Sequence, residues 1–520
     1  MTQQFKVTYA TLSADNKELH TMLDTAVEKV KGEAGGIYPL LIDGHSRQTA
    51  SFRDCVSPAD TSFLVARVGS AGAADVHDAV QAARNAYPGW RAVPWQERAA
   101  IIEKAADLIR SRKGELTAWL ILENGKNRVE ALGEIEETAD LYDYYAQQLR
   151  VNEGYIKGMG SLSPAESNTS VLRPYGVWAV IAPFNFPSAL LGAPMAAALL
   201  AGNTVVAKPS STTPLSGIKL TEIFHEAGVP GGAVNLIAGP GAEISASLTE
   251  NPDVAGITFT GSYDVGMSIY RKFSAVYPKP CIVEMGGKNP AIVMAGADLD
   301  RAAMGVFRSA FGMGGQKCSA CSRVYVHQKI FDDFITRLSR LIDETVIGDP
   351  LDKSTFLGPV GTRSGYGDFQ DYASLAGKEG TVVRGGDCPA GMERGYFVNP
   401  TLVTDLPDDH RLLREELFLP FLCAQQVSSL DQAIGLANDT DFGLTAGIFS
   451  GDQTEIDRFL DCIEAGVVYV NRAAGATTGA WPGVQPFGGW KGSGSTGKNI
   501  GGLYTLPCYM REQSRTVIRG

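Results

Sequence analysis

From Gly176 onward, short β-rich runs alternate with longer helical ones, and this alternation constrains the fold more than any other feature of the chain. GVWAVIAP, NTVVAKPS, AVNLIAG, GITFT and CIVEMGG read as strands. Between them lie a helix that Pro187 can open, a helix from about Pro214 to Ala227 stopped by Gly228 and Pro230, a short helix, and another from Asp264. Strands joined through helices pair in parallel, because the crossover returns the chain to the same end of the sheet. The expectation is an α/β chain with a doubly wound parallel sheet, whose ligand lies beyond the carboxyl ends of the strands.

A second strand–helix alternation begins at NPAIVMAG and continues to about Asn471, which predicts another α/β unit and a boundary near Gly286. Before the first sheet, residues from Ala73 to about Tyr145 carry apolar side chains at helical spacing, including Val76, Val80 and Ala83, then Ile102, Ala105 and Ile109. The segment Val151–Val171 is polar, rich in Gly and Ser, and reads as a linker or a protruding hairpin. A chain of 520 residues with 44% apolar content is long enough for two or three such cores.

Composition excludes several functions. A net charge of -11 without a long Lys/Arg run disfavours nucleic acid as a partner. The longest apolar stretch, Ala189 to Ala201, is shorter than the ~20 residues that span a bilayer and contains Pro194, so it reads as a buried helix. The first residues show no basic segment followed by an apolar one, so a cytoplasmic protein with no membrane partner is expected. Eight scattered cysteines do not make a disulfide scaffold, and only Cys318 and Cys321 form a C-x-x-C pair, with no second pair to complete a metal site. No metal is expected.

Four segments carry chemistry. In FTGSYDVG, Gly261, Ser262 and Gly266 can bring backbone N–H groups close to a pyrophosphate at a helix start, although the same residues also make an ordinary turn. Lys208 ends NTVVAK, where an ammonium either binds ribose or phosphate or is simply solvated. Glu284 ends an apolar strand before two glycines, as a base with a raised pKa or as a strand-end carboxylate satisfied by amides. Cys318 in GQKCSACSR follows a tight Gly-rich segment beside Lys317, and local positive charge or helix-start amides would lower its pKa and make it a nucleophile; the alternative is a buried packing residue.

APFNFP, KPSS, FTGS with a following VG, EMGGK, GQKCS, EELFLPF and QPFGGWKGSG occur in one order and spacing, and in this the chain resembles the aldehyde dehydrogenase superfamily from about Ile42 to its C-terminus. The resemblance implies a Rossmann-like nucleotide-binding domain (1–147 and 172–285), a second α/β catalytic domain (286–482) and an oligomerisation element (148–171 and 499–520), hence a homo-oligomer. It further implies NAD or NADP as cofactor and a small-molecule aldehyde as substrate. Cys318 would be the nucleophile and Glu284 the general base, and Asn185 would share an oxyanion hole with the Cys318 N–H. Lys208 and Ser262 would hold adenosine ribose and pyrophosphate, Glu416 the nicotinamide ribose, and Phe418 would pack beside the nicotinamide.

GQKCSACSR, ETADLYDYYA, and TGAWPGVQPFGG after VYVNR are similar to the Δ1-pyrroline-5-carboxylate dehydrogenase group, which oxidises L-glutamate γ-semialdehyde to glutamate. By that resemblance Ser319 and the backbone of Gly479 and Ala480 would cradle the substrate's α-carboxylate. Phe184 and Phe487 would clamp its stem, and Glu137 would line the pocket. The chain departs from the pattern at Trp481, Pro482 and Leu419, and at Ser211, which stands where NAD-preferring members carry a Glu that would repel a 2′-phosphate. Acceptance of NADP is therefore expected. Another semialdehyde or an aromatic aldehyde, a CoA-acylating reaction, and a non-catalytic binding protein are the alternatives.

Overall fold

The computed structural model describes residues 17–473, 481–498 and 500–519. Among the described residues, one seven-stranded sheet runs in the order Cys281–Glu284, Val254–Thr260, Val177–Ile181, Thr204–Lys208, Val234–Leu236, Leu40–Ile42, His45–Arg47. Its first five strands are parallel and the last two pair antiparallel at the edge. Helices cover both faces, so successive side chains of one strand enter different cores. Trp178 and Val180 pack with Ile102, Ile109 and Leu199 on one side, while Val177, Ala179 and Ile181 pack with Val76, Val80 and Ile218 on the other.

Trp178 shows how tightly this is built. It is fully buried, its indole N–H donates to Thr258 Oγ1 at 3.0 Å, and a Cβ on Gly256 of the neighbouring strand would fall 2.3 Å from its ring. Truncating such a residue to Ala costs about 3–5 kcal/mol.

Strand register brings four loops to one place. Ile181 pairs with Lys208, Phe259 with Ile181, and Thr260 with Glu284, so the segments APFNFP, KPSS, FTGS and EMGG all leave the sheet at one edge. The chain then crosses through Met285–Lys288 into the second sheet. That sheet runs in the order Thr381–Arg384, Thr401–Thr404, Phe421–Val427, Cys321–His327, Asn289–Val293, Thr445–Phe449, Val467–Val470, parallel throughout except at its first pair.

The polar segment after residue 151 forms a hairpin rather than a linker: Ile156–Gly158 pairs with Glu166–Pro174, which pairs along its whole length with the C-terminal strand Met510–Ile518. The preceding helix, Arg128–Val151, reaches into the start of that segment. A small sheet of Gly36–Tyr38, Leu64–Ser70 and Ser51–Val56 completes the N-terminal part. Among the described residues no helix is long and apolar enough to cross a membrane.

Candidate active site

Cys318 follows a turn in which Met313, Gly314 and Gly315 all take left-handed backbone, at φ +56°, +63° and +65°. Gly315 permits an approach no side chain would allow, since a Cβ there would lie 2.1 Å from the Leu419 carbonyl oxygen. The GGQKCS and LFLPF segments are thus locked together. Gln316 ties the turn down further: its carbonyl accepts from Asn185 Nδ2 at 2.9 Å and its Oε1 accepts from the Gly361 N–H at 2.7 Å. Asn185 uses one of its two amide hydrogens in this way, and one remains for a ligand.

The Cys318 side chain is half-buried, whereas Cys321 is 1% exposed and turns its thiol to the Arg323 carbonyl at 3.3 Å. The expectation of a lowered thiol pKa at Cys318 is reversed. Burial, then the carboxylates of Glu416 and Glu284, push the thiol well above its usual range, opposed by the amide N–H groups of Ser319 and Cys318. Lys317 does not overcome this. Its ammonium lies near Gly312 and Glu130, and burial lowers it to about 8.

Glu284 is 3% exposed and its backbone carbonyl accepts from the Gly261 N–H at 3.0 Å, so the strand end that carries this carboxylate also fixes the start of the FTGS loop. The GWKGSG segment runs along the same strand: Ser495 N–H donates to the Val283 carbonyl and Met285 N–H to the Ser493 carbonyl, and a Cβ on Gly494 would fall 2.8 Å from Glu284 Oε1. Glycine at 494 leaves that carboxylate its space.

The glycines of EMGG make room for Glu416. Gly287 N–H donates to Glu416 Oε1 at 3.0 Å, and a Cβ on Gly286 would fall 2.0 Å from Oε2. Burial pushes the Glu416 carboxyl up to about 7, against the Gly287 N–H and Lys288. Phe418, two residues on, has φ +58°, a conformation that costs a non-glycine residue roughly 1–2 kcal/mol, and its ring meets Phe184 edge-on at 5.9 Å.

At the sheet edge, Lys208 is 6% exposed, its ammonium donates to the Pro209 carbonyl at 3.3 Å, and burial lowers it to about 8. Ser211 lies half-buried in the bend after it. Ser262 caps the helix Tyr263–Phe273 without using its hydroxyl for the cap, and Gly266 in its first turn is packed against Met285, 2.6 Å from where a Cβ would stand. A helix start with small residues, a buried ammonium and a carboxylate seated on glycine amides suit a dinucleotide.

Among the remaining candidates, Ser319 is 8% exposed, and Phe487 is half-buried and exchanges backbone hydrogen bonds with Ile500. Glu137 is half-buried on the helix Arg128–Val151. Gly479 and Ala480 lie outside the described residues.

Residues that sequence reasoning did not single out hold this frame. Glu134, ion-paired to Lys126, accepts from the Ser188 and Ala189 N–H groups and so fixes the helix after APFNFP. Lys126 also lies 3.9 Å from the Phe186 ring centroid. Glu123 does the same for the helix after KPSS through the Leu215 and Ser216 N–H groups, and burial raises it to about 7. Asn124 Nδ2 donates to the Phe184 carbonyl at 2.7 Å.

Comparison with known proteins agrees with this geometry. Residues 45–514 match the model of the aldehyde dehydrogenase family. The chain is 36% identical over 526 residues to a 1-pyrroline-5-carboxylate dehydrogenase of Geobacillus sp. (strain WCH70), covering 99% of each chain. It superposes with a TM-score of 0.94 and 36% identity on the crystal structure of 1-pyrroline-5-carboxylate dehydrogenase from Thermus with bound NAD, covering 100% of both chains. With an E. coli NADP-dependent enzyme the TM-score is 0.87 at 31% identity, covering 92% of this chain and 98% of the other.

Proposed function

The chain belongs to the aldehyde dehydrogenase family, and from that premise we propose that it is an NAD(P)+-dependent dehydrogenase whose substrate is L-glutamate γ-semialdehyde and whose product is L-glutamate. The observation that supports this reading most is that the Cys318 loop is tied to Asn185 through Gln316 and packs on Gly287, whose N–H donates to Glu416, just beyond the strand end that carries Glu284. The full-length likeness to proteins named 1-pyrroline-5-carboxylate dehydrogenase supports the choice of aldehyde.

In this reading the Cys318 sulfur attacks the aldehyde carbon, and the developing alkoxide takes hydrogen bonds from the remaining Asn185 N–H and the Cys318 N–H. Loss of such a donor costs about 2.7–4 kcal/mol. NAD(P)+, when bound, supplies the hydride acceptor. Glu284 deprotonates the water that attacks the thioester at Cys318, which divides one difficult step into two. Glu416 and Phe418 would hold the nicotinamide end of the cofactor, Lys208 and Ser211 the adenosine ribose, and Gly261, Ser262 and Gly266 the pyrophosphate. Ser319, with Gly479 and Ala480, holds the α-carboxylate; Phe184 and Phe487 clamp the stem, and Glu137 lines the pocket. A hydroxyl at 211 admits a 2′-phosphate, so NADP+ is accepted as well.

Residues 1–147 and 172–285 form the nucleotide-binding part and 286–482 the catalytic part. Residues 148–171 with 499–520 pair subunits of a cytoplasmic homo-oligomer; the apolar side chains of Ile156, Met159, Leu162, Val517 and Ile518, exposed on that hairpin sheet, support this.

Steady-state kinetics on glutamate semialdehyde against propanal and an aromatic aldehyde tests the substrate. The expected kcat/KM for the semialdehyde exceeds the others at least ~100-fold, because a site built to bind a carboxylate rejects analogues lacking it. Equal values would overturn the assignment.

A further inference from the structure

Three consecutive carbonyl groups begin at the nucleophile, and each is held from outside its own loop. Asn289 Nδ2 donates to the Cys318 carbonyl at 2.7 Å and to the Ala320 carbonyl at 2.9 Å. Thr445 Oγ1 donates to the Ser319 carbonyl at 3.4 Å, and the Thr445 N–H donates to Asn289 Oδ1 at 2.9 Å. Asn289 is 2% and Thr445 1% exposed, so neither amide nor hydroxyl has water to turn to. The contact is close enough that Gly287 must lack a side chain, since its Cβ would fall 2.5 Å from the Cys318 oxygen. The first residue of the strand Asn289–Val293 therefore sets the direction of the peptide planes after Cys318.

The consequence lies on the other side of those planes. In a trans peptide the C=O and the following N–H point in opposite directions. A Cys318 carbonyl drawn to Asn289 sends the Ser319 N–H the other way, toward the Cys318 sulfur, which it and the Cys318 N–H stabilise as thiolate. We propose that Asn289 is a positioning residue for the nucleophile: by holding the Cys318 carbonyl it aims the Ser319 N–H at the sulfur and sets the reactivity of the thiol. The inference rests on reading Cys318 as the nucleophile, and it gives the function of a side chain that touches neither substrate nor cofactor.

The need for such a device arises from the surroundings. Burial opposes a thiolate most, and the charges of Glu416, from the segment before Phe421–Val427, and of Glu284, at the end of its strand, add to it, while Lys317 on the nucleophile's own loop has its ammonium near Glu130. Donated amide hydrogens are then the local support for the ionised sulfur, and they are useful only if the peptide planes stay fixed.

The test is the rate of iodoacetamide alkylation at Cys318, read by mass spectrometry of the Cys318 peptide from about pH 6 to about pH 10, in the full-length protein, Asn289→Ala and Asn289→Ser, with thermal unfolding of each. Losing one directed N–H should displace the curve to higher pH by about one unit, a roughly tenfold slower alkylation at pH 7. Asn289→Ser, which keeps one donor, should fall between and gives the reading if Asn289→Ala does not fold. The NADH burst rate should fall with the alkylation rate while KM for the cofactor stays unchanged. A merely structural role predicts the opposite sign, because a loosened loop exposes the thiol and speeds alkylation. A curve unmoved or shifted to lower pH in the folded variants would overturn the proposal. Alkylation measures the thiol whether or not Cys318 is the catalytic group, so failure of that reading is detected separately, as normal turnover in Cys318→Ala.

Discussion

Gly286→Ala should damage cofactor binding by displacing the Glu416 carboxylate. The added methyl would stand 2.0 Å from Glu416 Oε2 and 2.4 Å from its Cδ, so the carboxylate must retreat by roughly 1.4 Å to regain an ordinary 3.4 Å contact. That movement breaks the 3.0 Å bond from the Gly287 N–H. A hydrogen bond to a charged group contributes about 1.5–3 kcal/mol, and a carboxylate displaced by this much no longer reaches the ribose it is proposed to bind. The dissociation constant for NADH should therefore rise about 10- to 150-fold. Titration of NADH fluorescence measures it directly, with thermal unfolding as the control that the fold is intact. An unchanged dissociation constant would refute the placement of the cofactor beside Glu416.

Glu284→Gln should keep a stoichiometric NADH burst and lose roughly 100- to 10,000-fold in steady-state turnover, measured by stopped-flow absorbance. Asn185→Ala should lower kcat by about 100- to 1,000-fold, measured by steady-state kinetics, and should also lower the thermal unfolding temperature, since it removes the buried bond to the Gln316 carbonyl together with the oxyanion donor. Ser211→Glu should shift the ratio of kcat/KM values from NADP+ toward NAD+ by at least ~10-fold through repulsion of the 2′-phosphate. Because burial raises the Glu416 carboxyl to about 7, cofactor affinity should be full above that pH and weaken as pH falls through it, when protonation removes an acceptor; Glu416→Gln should flatten this dependence.

The alternation of strand and helix was legible because buried parallel strands must be continuously apolar and helices must repeat every 3.6 residues. The helix ending at Gly228 stops at Ala227 as that glycine predicts, with φ +116° at the cap. The strands from Gly36 to Ser70 were not read: Gly36–Tyr38 and Leu40–Ile42 are three residues each, too short to show a period, and are held by pairing with distant strands. At the site, Cys318, Glu284 and Lys208 stood out because each sits close to glycine or proline at a turn, whereas Glu416 came only from the family resemblance. Glu123, Glu134 and Asn289 did not stand out, since a polar residue in an apolar run carries no sign of whether it is solvated or buried against backbone amides. The thiol of Cys318 was misjudged for a related reason. Lys317 is its neighbour in sequence, but burial of the sulfur outweighs it, and the further charges that act on the thiol are those of Glu416 and Glu284, distant in sequence.

The central claim is that a covalent acyl intermediate forms on Cys318, and intact-protein and peptide mass spectrometry of Glu284→Gln, quenched in acid after mixing with NAD+ and glutamate semialdehyde, tests it most directly. The predicted result is an added glutamyl acyl mass on the peptide carrying Cys318, present only when NAD+ is supplied and removed by hydroxylamine. An unmodified Cys318 peptide, or the adduct on another cysteine, would contradict it.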